Sequence, residues 1–157
     1  MPEKDGEGAS RRKGRPAGRF RRPGVELVAR AARRAVRGSR ASFPSLAAFR
    51  AAVVETLRRD EPLATVGGPR LRRLLISVPG VRMTVRYTER PDGPLPARCP
   101  VCGAELEPIR NRTLTGETVE LGRGCPRCAY WTHAARRVPV RYTVSRGEPR
   151  SARARRP

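Results

Sequence analysis

Aromatic residues are scarce in this 157-residue chain, which holds one Trp, three Tyr and three Phe, 4% of the total. So small a supply of large apolar side chains excludes a big hydrophobic core, and a domain built from it needs another staple. Histidine occurs once, at His133, and lysine only at Lys4 and Lys13. With one imidazole and scattered carboxylates there is no Ser-His-Asp set, no HExxH helix and no paired acid and base. Gly67-Gly68 ahead of Pro69 reads as a helix start rather than a nucleotide-binding loop. The chain is therefore expected not to be an enzyme. It also lacks a long apolar run and a lipidation signal, so no membrane partner is expected. The basic N-terminal stretch has neither an apolar segment nor a small-residue cleavage site, which makes the cytoplasm the expected compartment.

What the chain has in excess is positive charge. Against 14 acidic residues stand 35 basic ones, for a formal charge of +21. Such a charge opposes compaction and favours polyanionic partners, of which nucleic acid is the commonest. The choice of Arg over Lys reads most simply as the codon usage of a GC-rich genome, although the guanidinium fork also suits phosphate. Residues 1–23 carry eight basic and three acidic side chains among Gly, Pro and Ser, with no apolar period. They are expected to form a disordered basic arm. Residues 145–157, with five Arg, one Glu and two Pro, are expected to form a matching tail. The remainder, 24–144, still carries 22 basic against 10 acidic residues, so the charge is not confined to the ends.

Apolar periodicity places three helices and a strand in the first half. Val25, Val28, Ala32 and Ala35 share a face of a helix over 24–37, with Gly38 suited to its C-terminal cap. Over 45–59, Ser45 can cap a helix whose stripe is Leu46, Phe49, Val53 and Leu57, and Asp60-Glu61-Pro62 ends it. A third helix is expected over 69–78, opened by Gly68-Pro69, stopped by Pro79-Gly80, and apolar at Leu71, Leu74, Leu75 and Val78. Residues 81–89 then alternate, with Val81, Met83, Val85 and Tyr87 on one side. In element order alone, 24–90 resembles a helix-turn-helix or winged-helix unit. That resemblance implies that the third helix, with Arg70, Arg72 and Arg73, enters a DNA groove. An ordinary solvated face accounts for these arginines as well, because no Asn or Gln accompanies them to read adenine.

The strongest signal is the cysteine spacing. Cys99-Pro-Val-Cys102-Gly and Cys125-Pro-Arg-Cys128 are two CxxC turns separated by 22 residues. Two cysteines three apart on a tight turn aim both sulfurs at one point, and two such turns complete a closed tetrahedral set for one structural zinc ion. Two disulfides, a redox CxxC pair and a rubredoxin-like iron site are the alternatives. The first two fit poorly with a reducing compartment and with the missing strand-helix pattern. Spacing does not separate iron from zinc.

Residues 97–132 resemble a zinc ribbon. The resemblance implies two knuckles joined by a small antiparallel sheet, with a strand over 105–114, a turn at Thr115-Gly116-Glu117 and a return strand over 118–121. The whole chain also looks similar to small archaeal zinc-ribbon proteins. After the second knuckle, the Tyr130-Trp131 pair is a candidate for stacking on unpaired bases, though at least one of the two rings is expected to pack over the zinc turn or the sheet instead, and His133 beside them is expected to be exposed. A final strand is expected at Val138, Val140, Tyr142 and Val144, which places a ribbon and last strand over 97–144. Val85-Arg86-Tyr87-Thr88 recurs as Val140-Arg141-Tyr142-Thr143. If the two copies pair, Arg82, Arg86 and Arg141, joined by Arg137, offer a basic platform for phosphate, and Arg136 is a further candidate contact. The expected fold is thus α+β, a monomer with one zinc. The expected function is nucleic-acid binding, with RNA or the ribosome ahead of a DNA-binding regulator or an accessory module of a larger complex.

Overall fold

The computed structural model describes residues 20–39, 42–91 and 93–147. The fold is mixed α+β, with three helices, a two-stranded antiparallel sheet and a three-stranded one among the described residues. None of these helices is long and apolar enough to cross a membrane.

Helix α1 spans Val25–Gly38 and buries Val28, Ala29, Ala31, Ala32 and Val36. Its stripe starts one turn later than expected. Val25 lies on the right face but beyond the edge of the core, and is 53% exposed. Gly38 is the last helical residue rather than a left-handed cap, and the chain leaves through Ser39 in extended geometry. Helix α2, Leu46–Asp60, matches its expectation closely. Ser45 accepts from the Ala48 N–H at 3.1 Å, and Phe49, Val53 and Leu57 are fully buried. Helix α3 is shorter than expected, Gly68–Leu75. Beyond it the Ser77 N–H turns back to the Leu74 carbonyl and that of Val78 to Leu75, so the chain tightens before Pro79 can intervene.

Strand β1, Val81–Arg90, pairs antiparallel with β5, Arg136–Arg146. The two VRYT copies therefore do pair, with Val85 opposite Tyr142 and Arg86 opposite Arg141. A bulge follows Arg86, and Val140 is the residue it leaves over. The inner face of this ladder joins two cores. At one end Val144, fully buried, sits among the helices and bridges to Phe43 in the α1–α2 connection, whose ring meets Phe49 edge-on at 5.0 Å. At the other end Val85, Tyr87 and Tyr142 pack on the cysteine cluster. Met83 touches both cores.

Between β1 and β5 lies the second sheet, in the order β2–β3–β4: β2 Glu107–Arg112, β3 Thr118–Gly124 and β4 Trp131–Thr132. β2 is shorter than the expected 105–114, because Arg98 bridges Glu105 and the chain up to Leu106 belongs to the first knuckle. β3 runs three residues past the expected 121 and gains β4 as a partner.

Of the expected basic arm, residues 1–19 lie outside the described residues, but Arg21 is pinned. Its N–H donates to the Leu63 carbonyl at 3.0 Å, and its own carbonyl accepts from Thr65. At the other end Ser145 and Arg146 belong to β5, and residues 148–157 lie outside the described residues.

Candidate metal centre and basic surface

Each knuckle is shaped by its backbone. In the first, the Gly103 N–H donates to the Cys99 carbonyl at 2.8 Å, and the Cys99 N–H to Ala104 at 2.7 Å. Gly103 adopts φ +79°, a left-handed conformation that a side chain resists, so glycine is needed to curl the turn back. In the second, the Cys125 N–H donates to the Tyr130 carbonyl, and the Arg127 N–H points at the Cys125 sulfur at 3.4 Å. Such N–H donors stabilise thiolate charge.

The four sulfurs of Cys99, Cys102, Cys125 and Cys128 lie within 4.8 Å of one another. Cys99 and Cys128 are 3.6 Å apart and Cys102 and Cys125 3.4 Å, far beyond the ~2.05 Å of a disulfide. Four thiolates around a tetrahedral ion with Zn–S near ~2.3 Å stand about 3.8 Å apart, so the cluster is close to the size one ion requires. The four cysteines can therefore hold one metal ion in a zinc-ribbon-like, closed arrangement. Without metal, burial pushes the Cys102 thiol up to about 11 and the Cys128 thiol well above the usual range. Burial acts upward on Cys125 too, but the Arg127 N–H and the neighbouring thiols outweigh it and hold this group low.

Tyr130, 1% exposed, forms the floor of the cluster with Val101 and Leu106, and its hydroxyl donates to the Arg137 carbonyl at 2.8 Å. The two tyrosines of the VRYT copies supply the wall. Burial raises the Tyr87 phenol to about 12 and also raises that of Tyr142, so both remain neutral. Each carries an arginine. The Arg72 guanidinium lies 5.2 Å from the Tyr142 ring centre and donates to its hydroxyl at 3.0 Å. That of Arg137 lies between Tyr87, at 4.4 Å, and Trp131, at 4.5 Å. Sequence reasoning did not nominate Tyr87 or Tyr142 as site residues. The repeat was the available signal, since two copies on adjacent strands bring equivalent side chains to one place.

The arginines singled out from sequence separate into two groups. Arg70 donates to the Pro23 carbonyl at 2.7 Å, and Arg72 and Arg137 are held as described. Arg70, Arg72 and Arg136 also each keep one buried N–H without a partner. Arg73, Arg82, Arg86 and Arg141 are exposed. The stem of Arg73 runs beside the first knuckle, 4.0 Å from where a β-carbon on Gly103 would stand. Arg82, Arg86 and Arg90 alternate along the outer face of β1, and Arg141 stands directly across from Arg86. The ion pairs among the described residues, Arg59–Glu55 and Arg123–Glu120, involve none of them. Trp131 is 45% exposed, with its indole against Arg137 and 5.3 Å from the exposed His133 ring. His133 takes no part in the cysteine cluster.

No family model, curated protein or solved structure matches the chain.

Proposed function

We propose that this chain binds nucleic acid through the phosphate backbone, on a small fold stapled by one structural zinc ion, and that RNA is the preferred partner. The observation that carries the reading is the outer face of β1–β5. Arg86 and Arg141 are direct cross-strand neighbours, and Arg82 and Arg90 flank them on the same strand face. Like charges placed opposite one another cost stability in the free protein. An anion set between two guanidinium forks relieves that repulsion and gains charge-assisted hydrogen bonds. In a chain of formal charge +21, a string of phosphates is the natural occupant.

The rival reading, a DNA regulator whose α3 enters the major groove, draws less support. Arg70 and Arg72 are already engaged with Pro23 and Tyr142, which leaves Arg73 as the free arginine of that helix. Backbone contact without base reading suits structured RNA, the ribosome included. Zinc is preferred to iron because an electron carrier has no use for this charge, and a closed set of four thiolates needs no open position. The proposal assigns no catalytic residue.

Direct titration tests it. The zinc-loaded full chain is titrated with a single-stranded RNA, an RNA duplex and a DNA duplex of equal length, at several salt concentrations. Affinity should fall linearly on a log–log plot. Replacing Arg82, Arg86 and Arg141 together by Ala should weaken binding at least tenfold and flatten the slope by roughly 2–3. Unchanged affinity in that variant would overturn the assignment of this face, and a clear preference for the DNA duplex would reverse the order of partners.

A further inference from the structure

A second basic feature lies at the far end of the β1–β5 ladder from the cysteines, on residues the sequence did not single out. A cavity of about 310 Å³ opens between α1 and the base of the ladder, lined by Arg33, Arg37, Pro79, Gly80, Arg146 and Gly147. Its volume falls at the lower end of the range for small-ligand sites.

Arg33 and Arg37 are one helical turn apart on α1 and so project side by side. Arg146 comes from the other wall, at the last ladder pair, where it stands opposite Val81. That wall is firm. The Gly147 N–H donates to the Gly80 carbonyl at 3.0 Å, and a β-carbon on Gly147 would press on the backbone of Gly80 and Val81 at 3.3–3.4 Å. Gly80, at φ +77°, makes the turn that brings α3 into β1 and shapes the cavity rim. Among the described residues no acidic side chain lines this space and the ion pairs lie elsewhere, so three arginines share its wall. The C-terminal carbonyls of α1 favour Arg37 but amount to only about half a charge, too little to offset three cations.

We propose that this cavity is a binding site for a phosphomonoester dianion, the group borne by a free nucleotide or by the phosphorylated end of a nucleic-acid strand. A dianion with three terminal oxygens suits a recess lined by three arginines, whose forks can each donate two parallel N–H bonds. An internal phosphodiester carries one charge and two free oxygens, and fits the open face of β1–β5 better than this recess. The site is separate from that face, so it stands whether or not the face binds RNA.

The test uses the zinc-loaded full chain and two kinds of probe. Inorganic phosphate is titrated with the phosphorus-31 linewidth as readout. A short RNA with a 5′-phosphate is then compared with the same RNA bearing a 5′-hydroxyl. Inorganic phosphate should broaden with the unaltered chain and not with Arg33→Ala/Arg37→Ala or with Arg146→Ala, whose melting temperatures check the fold. The 5′-phosphate should improve RNA affinity about five- to tenfold. That gain should vanish in the same variants and persist in the Arg82, Arg86 and Arg141 variant, even though the latter binds both RNAs less tightly. Broadening without a 5′-phosphate gain assigns the site to a free phosphorylated small molecule, and both effects together assign it to a strand end. The proposal is overturned if neither probe distinguishes the unaltered chain from the Arg33, Arg37 and Arg146 variants.

Discussion

The backbone of Gly122 lies so close to Thr132 that a β-carbon there would overlap the Thr132 carbonyl oxygen and stand 2.8 Å from the Cα of His133. Both obstructions are backbone, and neither can rotate away. Thr132 is itself fixed, fully buried with its hydroxyl donating to the Ala135 carbonyl and accepting from the Arg137 N–H. Gly122→Ala should therefore cost about 3 kcal/mol or more by prying β4 from β3. Gly38→Ala is the contrasting control. Its β-carbon meets nothing within 4 Å in a helical backbone, and the change should stabilise by about 0.5–1 kcal/mol. Thermal melts of the two variants check both signs.

Arg86 offers a prediction in which stability and affinity move in opposite directions. Arg86→Thr removes one of two guanidinium groups facing each other across the ladder and restores a good strand former. The free protein should gain up to about 1 kcal/mol while RNA affinity drops severalfold. Urea unfolding and RNA titration on one preparation read the two effects, and a variant that loses stability as well would mean that the arginine packs rather than binds.

Arg137 separates stacking from charge. Its guanidinium is held between Tyr87 and Trp131, and the latter is the sole tryptophan of the chain. Arg137→Lys keeps the charge and loses the planar stack, so it should cost about 1 kcal/mol and shift the tryptophan emission. Salt-dependent RNA affinity should stay nearly unchanged, which would remove Arg137 from the phosphate contacts expected from sequence.

The thiols set a pH dependence. In the metal-free fold, burial lifts Cys102 to about 11 and Cys128 further still, so both are protonated at neutral pH. Metal binds the thiolates, so zinc loading must expel at least these two protons, and apparent affinity should fall by at least about 100-fold for each unit of pH lost below neutrality. Proton release into a weakly buffered indicator, counted per zinc added, checks the stoichiometry. The metal-free chain should behave in the opposite sense. The folded values of Cys102 and Cys128 lie above the unfolded ones, so the stability these two contribute is complete below about pH 8.5 and declines as pH rises past that value, while Cys125, held low, acts in the opposite sense.

Apolar stripes and cysteine spacing were readable because each follows a local rule. Leu46, Phe49, Val53 and Leu57 repeat at the helical period, and the burial of the last three follows from that alone. The knuckles needed only a three-residue spacing and Gly103. The VRYT copies pair because the same alternation appears on both strands. Other features depend on contacts distant in sequence. Nothing in the composition of Phe20–Pro23 separates it from the arm before it, since Arg21 is fixed by backbone bonds to Leu63 and Thr65. Arginines are alike in sequence, and only tertiary neighbours distinguish Arg72, stacked on a tyrosine 70 residues away, from Arg82 in solvent. The cavity on Arg33, Arg37 and Arg146 was invisible for the same reason, because α1 and the end of β5 are far apart along the chain.

The cysteine-bearing sheet lies inside a hairpin, and this has a consequence for the order of folding. Arg90 and Arg136 are the ladder pair at its neck, so β1 cannot find β5 until 45 intervening residues have been gathered in. Such a closure is slow, and the apolar strand face that awaits it is open to wrong partners. Joining Cys99 to Cys128 through an ion shortens the flexible path roughly threefold, which lowers the closure cost by about 1 kcal/mol. Metal captured early would act as a folding clock, quickening the pairing of two strands that supply none of its ligands. A chain made under zinc starvation would wait longest with that ladder unpaired.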